Sequence, residues 1–235
     1  MKNKIVKKVK ESYVVVGYTP WSKDIFARKL SKFPGHWHLF SKQEQLTEKN
    51  LARIKPKYVF FLHWSWKVPE DIIKKYECVC FHMTDVPYGR GGSPLQNMIL
   101  RGHKKTKVSA LRMTEFFDAG PVYLKKSMVL SGRAEDIYKR ASEISAGLIL
   151  KLIKNSIIPK PQNGVPVIFK RLKPADSEIS DCSDVRKIYD KIRMLDATGY
   201  PKAVVKCGNF VVEFTNPVLK SGALTCKIVF KKIND

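Results

Sequence analysis

The sequence predicts an α/β protein: a mostly parallel sheet with helices on both faces, followed by a small β-rich C-terminal unit. Three observations predict it. Short continuous apolar runs, YVVVGY (13–18), YVFFL (58–62) and CVCFH (78–82), have the composition of strands buried on both faces. Helical patterns separate these runs, and strand–helix alternation is the signature of a parallel sheet with helical crossovers. After the Pro- and Gly-rich IIPKPQNGVP (157–166) the composition changes to β-type runs.

The elements follow in order. Behind the first run, SKDIFARKLSKF places Ile25, Phe26, Leu30 and Phe33 at helical spacing, with Ser22 as the N-cap. NLARIKPKYVFFLHW reads as a short helix, a break at Pro56 and the second strand; PEDIIKKYECVCFH reads as a helix and the third. TKVSALRMT alternates as a strand does, GPVYLKKSMVL forms another, and GRAEDIYKRASEISAGLILKLIKN is a long amphipathic helix. Its apolar stripe is Ile137, Ala141, Ile144, Leu148 and Leu152. Past the connector come a helix at 184–195 and the strands KAVVKCGNFVVEF and LTCKIVF. The NFVVEF alternation describes a half-buried sheet that packs on the main unit or on a second copy, which leaves a homodimer open. The expected domains are 1–165 and 166–235.

With 235 residues, 44% of them hydrophobic, the chain can bury a full core of roughly 150 residues with a smaller unit attached. Forty-four Lys plus Arg against 21 Asp plus Glu give a formal charge of +23. Such a surface attracts phosphates on nucleic acid, on a nucleotide-linked small molecule or on a phospholipid face, and does not choose among them. The lysines are scattered, so a solvated Lys-rich surface fits equally well. The N-terminal MKNKIVKKVKE is basic without an apolar segment behind it, and no run approaches the ~20 apolar residues of a membrane span. A cytoplasmic protein with no membrane partner is expected. Five cysteines, an odd set, are expected as free thiols.

The segment FHMTDVPYGRGGSPLQ (81–96) fits neither a plain strand nor a plain helix. Ligands of open parallel sheets bind beyond the carboxyl ends of the strands, and His82 leaves the third strand there. An imidazole at that point can exchange a proton at neutral pH. Asp118, in EFFDAGPV, follows two aromatics that imply a partly dry setting, and could be aimed at His82. By spacing alone, a lone His at a strand end and a lone Asp before a turn are more often structural. Cys78, Cys80 and His82 alternate on one strand face, but three groups at that spacing do not make a zinc site, and no metal is expected. His63, Trp64 and Trp66 end the second strand and Thr19 and Trp21 end the first; their side chains serve either the core or a uracil or sugar face. His36, His38 and His103 read as surface residues.

HMTDVPYGRGGSPLQ resembles the active-site signature of the folate-dependent formyltransferases: His-Pro-Ser-Leu-Leu-Pro, two free positions, Arg-Gly, two more, then Pro. His82, Pro87, Arg90, Gly91 and Pro94 match it. Asp118-Ala119-Gly120 matches the family's Asp-x-Gly turn, and VVGYTPWSKDIF resembles its opening strand, turn and helix, so the similarity covers residues 13 to about 155. Met83, Asp85 and Val86 depart from the pattern. Cys80 stands where the family has a catalytic asparagine, and a thiol is a weak hydrogen-bond donor for an oxyanion. Thr84, Asn97 or a backbone N–H would then substitute, or the chemistry would be slowed.

The resemblance implies a Rossmann-like formyltransferase fold and formyl transfer from 10-formyltetrahydrofolate to a primary amine. His82 would be the general base, Asp118 its partner and Cys80 the occupant of the asparagine position. Thr84, Asp85, Val86, Arg90, Gly91, Thr114 and Phe117 would contact the folate; Gly92, Ser93, Trp64, Trp66, Thr19 and Trp21 would contact the acceptor. The Arg90–Ser93 glycines would admit substrate and folate close to the backbone. The signature variant together with LDATGYPKA (195–203) is similar to sugar N-formyltransferases of the pseudaminic-acid type. Enzymes that formylate methionyl-tRNA carry a C-terminal domain about twice as long as the one available here. An amino-sugar nucleotide is therefore the expected acceptor, with methionyl-tRNA, favoured by the charge, as the alternative. A folate- or nucleotide-binding module without turnover, suggested by Cys80, is the third reading.

Overall fold

A computed structural model describes residues 10–233, so the basic stretch 1–9 lies outside the described residues. Six strands form the central sheet: β1 (Ser12–Val16), β2 (His36–Phe40), β3 (Tyr58–Phe61), β4 (Cys78–His82), β6 (Lys105–Arg112) and β7 (Val122–Val129), in the order β2-β1-β3-β4-β6-β7. The first four in that order are parallel, while β6 runs antiparallel to β4 and β7 antiparallel to β6. The sheet is thus mostly parallel with helices on both faces, as the alternation predicted.

Strand periodicity sends alternate side chains to two separate apolar layers. Val15, Phe60 and Val79 belong to one layer, which includes residues of α1 (Pro20–Arg28), α4 (Pro94–Leu100) and α5 (Ala134–Lys154). Val14, Val16, Val59, Phe61 and Cys78 belong to the other, with Leu51 of α2 (Glu48–Ile54) and Ile72 of α3 (Glu70–Lys75). Each fully buried aliphatic or aromatic side chain contributes about 1.5–3 kcal/mol.

One strand is added to the expected elements and two local expectations are corrected. β2 was not anticipated, because HWHLF puts its polar rings on the exposed positions of an edge strand and lacks a continuous apolar run. The cap of α1 is Thr19, whose hydroxyl accepts from the Ser22 N–H; Ser22 lies inside the helix, fully buried, and donates to the Leu62 carbonyl. His103 is half-buried and hydrogen-bonded to the Tyr88 hydroxyl at 3.0 Å.

After α5 the chain runs back across the site. Its connector pairs with β7 through Val122 and Lys160, then enters β8 (Val167–Phe169), which lies parallel to β5 (Tyr88–Gly91). Beyond it, α6 (Val185–Leu195) and the antiparallel sheet of β9 (Ala203–Cys207), β10 (Phe210–Lys220) and β11 (Ala223–Lys232) close the molecule. Ile192, Met194 and Ala203 of this part belong to the same apolar layer as Phe60. Among the described residues no helix is long and apolar enough to cross a membrane, and all five cysteines are free.

Candidate active site

His82 is the last residue of β4, at the carboxyl edge of the parallel strands, and is 8% exposed. Its Nε2 lies 2.7 Å from the Gly89 carbonyl oxygen, and its Nδ1 lies 3.3 Å from Oδ1 of Asp118. A carbonyl only accepts, so Nε2 carries a hydrogen toward Gly89. A further proton reaching the ring is then held between Nδ1 and the Asp118 carboxylate. Position 82 and position 118 thus converge.

Asp118 sits on the turn after β6 with a left-handed backbone, φ 52°. Its second carboxylate oxygen accepts from the Gly91 N–H at 3.0 Å. The carboxylate is partly dry, its side chain 17% exposed, but Phe116 and Phe117 do not make it so: these residues are 69% and 75% exposed. What covers the carboxylate is β5, together with Gln162 of the connector. The Gln162 amide donates to the carbonyls of Asp118 and Gly120 at 2.7 and 2.8 Å and accepts from Arg90. Sequence reading passed over Gln162 because a polar residue in a Pro- and Gly-rich connector carries no periodic signal; the resemblance to the family ended before it.

Cys80 is half-buried two residues before His82 on the same strand face, in register with Phe61 and Leu111. Burial, and then the Asp118 carboxylate, push its thiol far above the usual range. It is a neutral, weak donor. Neither side chain named as a substitute is free. The Thr84 hydroxyl donates to the Gly89 carbonyl at 3.1 Å, and the Asn97 amide donates to the carbonyls of Gly92, Ser93 and Lys170.

The other residues of the signature are placed as follows. Thr84 and Val86 are buried. Burial alone would raise the Asp85 carboxyl, but Lys107 and Lys125, at 2.8 and 2.6 Å, outweigh it and hold the group below the usual carboxylate range. Arg90 is engaged with Gln162, the Ser93 hydroxyl accepts from the Leu172 N–H, and the Thr114 hydroxyl donates to the Phe116 carbonyl. The glycines serve the chain's own packing. A Cβ at Gly91 would stand 2.6 Å from the Phe169 carbonyl oxygen, and one at Gly92 2.5 Å from Cβ of Arg171, so β8 and the residues after it fill the side where a side chain would stand.

At the ends of β1 and β3 the aromatics divide. Thr19 is spent on its cap, and Trp21 is buried in the core, stacked on Tyr138 with centroids 4.9 Å apart. Trp64 and Trp66 cluster with Tyr18 nearer the surface, with Trp66 exposed. His63 packs edge-on against Trp21 and Tyr138 beside the Ser142 hydroxyl, and burial lowers its pKa to about 4. Among the described residues no group of three or more His, Cys, Asp or Glu is arranged to hold a metal.

A doubly layered α/β sheet with a histidine–carboxylate pair at its carboxyl rim defines a class of acid–base transfer sites. Comparison with known proteins gives the family. Residues 174–231 match the family described as "Methionyl-tRNA formyltransferase, C-terminal domain". The chain is 38% identical to the structure of a methionyl-tRNA formyltransferase from Clostridium thermocellum, with a TM-score of 0.89 over 94% of this chain and 99% of that one. A methionyl-tRNA formyltransferase of Thermodesulfovibrio yellowstonii is 29% identical over 153 residues, 62% of this chain and 50% of the relative. The chain spans about half the length of the curated relatives it matches. It belongs to the formyltransferase family, whose members are folate-dependent enzymes that use 10-formyltetrahydrofolate as formyl donor.

These findings overturn the expected acceptor. PseJ of Anoxybacillus kamchatkensis, a formyltransferase solved with a UDP-linked formamido sugar and tetrahydrofolate, is 14% identical with a TM-score of 0.52 over 67% of this chain and 85% of that one. That likeness concerns the fold alone. The short C-terminal part, taken as a sign of the sugar branch, is itself what matches the methionyl-tRNA formyltransferase C-terminal domain. Length was the wrong criterion, because a compact module of this family fits in it.

Proposed function

We propose that this chain transfers the formyl group of 10-formyltetrahydrofolate to the amino group of methionyl-tRNA. The observation that carries the chemistry is the His82 Nδ1–Asp118 Oδ1 approach of 3.3 Å at the sheet rim. The acceptor rests on the near full-length likeness to the Clostridium enzyme. The donor supplies the activated formyl carbon. An amine attacks only in its neutral form, so the His82–Asp118 pair takes the proton that the amine loses as its bond to carbon forms. The same pair can release that proton toward the nitrogen that leaves, which makes it general base and then general acid.

The exposed rings of Phe116 and Phe117, next to Asp118 in the chain, offer an aromatic face that suits the donor's pterin. With Thr84 and Asn97 committed elsewhere, a backbone N–H at the rim is the donor left for the oxyanion, and Cys80 contributes little. The formal charge of +23 suits an RNA substrate and predicts binding that weakens steeply with salt.

The test is direct. The protein is incubated with 10-formyltetrahydrofolate and either methionyl-tRNA or a panel of amino-sugar nucleotides, and each acceptor is weighed by mass spectrometry. N-formylmethionine from the tRNA arm is expected; formylated sugar without formylmethionine would refute the reading.

A further inference from the structure

We infer that Gln162 is a positioning residue for the His82–Asp118 pair, its side-chain amide clamping the turn that carries Asp118 to Arg90 of β5. The inference rests on the proposed roles of those two residues. Every hydrogen-bonding capacity of the amide is used. Nε2 donates to the Asp118 carbonyl at 2.7 Å and the Gly120 carbonyl at 2.8 Å, while Oε1 accepts from Arg90 Nε at 3.0 Å and Nη2 at 2.8 Å. The orientation is unambiguous, since carbonyls only accept and a guanidinium only donates.

The clamp acts where the backbone needs it. A non-glycine residue in the left-handed region persists only when its surroundings over-determine it, and Asp118 has φ 52°. Arg90 and Gly91 are consecutive in β5, so the turn is tied to that strand twice: by Gln162 through Arg90, and by the Asp118 carboxylate through the Gly91 N–H at 3.0 Å. Removing the first tie leaves the carbonyls of 118 and 120 without their donor and frees the turn to relax. The carboxylate then leaves both Gly91 and the His82 ring.

The connector itself is held independently of the side chain. Val122 and Lys160 exchange backbone hydrogen bonds at 2.7 and 2.9 Å, and the Val167 N–H donates to the Pro87 carbonyl at 3.1 Å. A Gln162 variant therefore keeps the fold and loses the aim.

Gln162→Ala and Gln162→Glu in the full chain provide the test, with kcat and KM for methionyl-tRNA, thermal unfolding, and the Gly91 amide resonance in a 15N-labelled sample. Gln162→Ala should lower kcat about 10- to 100-fold, the scale of an ångström-sized misplacement, with KM within about threefold. The Gly91 amide should move as it loses its carboxylate acceptor. Gln162→Glu keeps the acceptor for Arg90 but loses both donors, so it should be as impaired as Gln162→Ala. Full activity in Gln162→Glu, kcat within twofold of wild type in Gln162→Ala, or an unmoved Gly91 amide would each overturn the inference. A wild-type protein that fails to formylate methionyl-tRNA would sink the proposed acceptor instead, and the Gly91 resonance would still decide the role of Gln162.

Discussion

The turn at 118–120 and the hairpin of β10 and β11 both lie at the surface, yet they are held very differently. At the turn the Asp118 carboxylate, its carbonyl and that of Gly120 all have partners from distant parts of the chain, and Gly120 leaves no room for a side chain: a Cβ there would stand 1.8 Å from the Arg112 carbonyl oxygen. The hairpin has its own ladder, but Ile228, Val229 and Phe230 of β11 are exposed, as is Phe210, whose ring meets Phe230 at 6.2 Å. Few of its side chains are pinned by the rest of the molecule. The difference teaches where this protein tolerates change: a rim whose geometry serves proton transfer is over-determined, whereas an exposed sheet face depends on its backbone ladder more than on any one side chain.

Breaking the rim at its centre should have the largest effect. His82→Ala or Asp118→Asn is expected to lower kcat/KM for formyl transfer about 10²- to 10⁴-fold with the melting temperature nearly unchanged, as read by steady-state kinetics and calorimetry. If Phe230→Ser in the hairpin costs as much activity in the same kinetic assay, the contrast between the two regions is wrong.

Gly120→Ala probes the same turn through packing. The forced clash should destabilise the fold by about 3 kcal/mol, measured by urea unfolding, because backbone has to move to admit the methyl. A change under about 0.5 kcal/mol would show the turn to be looser than its contacts imply.

A buried ring at the same edge of the sheet should report in acid. His63 has a pKa lowered by burial from 6.5 to about 4, so between those values the unfolded chain binds a proton that the native chain refuses. The associated stability is fully present above about pH 6.5 and is lost as pH falls toward 4, on the order of 3 kcal/mol. Unfolding free energies at pH 7 and 4.5 should converge by that amount in His63→Gln relative to wild type.

The smallest effect belongs to the hairpin. Phe230→Ser should change stability by no more than about 0.5 kcal/mol, the usual range for exposed positions, in the same urea assay. A larger loss would mean that the face is covered in solution.

The rim and the hairpin also differed in how far they could be read in advance. The strands β1, β3 and β4 and the helix α5 were legible because burial on both faces, or on one helical stripe, writes itself into composition and periodicity. His82 and Asp118 were legible as candidates through a local signature, and their convergence needed the turn after β6 to meet β5, where the Asp118 carboxylate accepts from the Gly91 N–H. β2 escaped because an edge strand is half solvated. Asp118 does lie in a partly dry setting, but Phe116 and Phe117 do not create it, because two adjacent aromatics say nothing about what packs on them.

By itself the sequence determined the mostly parallel sheet, its two apolar layers, the histidine at the strand end and the family resemblance, since these depend on local pattern. Only the tertiary structure decided that β8 and the residues beyond it press against Gly91 and Gly92, that Thr84 and Asn97 are already engaged, and that Gln162 reaches both Arg90 and Asp118. Those are contacts between residues up to 79 positions apart, and no short-range periodicity encodes them. They arise when burial of the layers brings connector, strand and turn to one place, where each buried donor must find an acceptor.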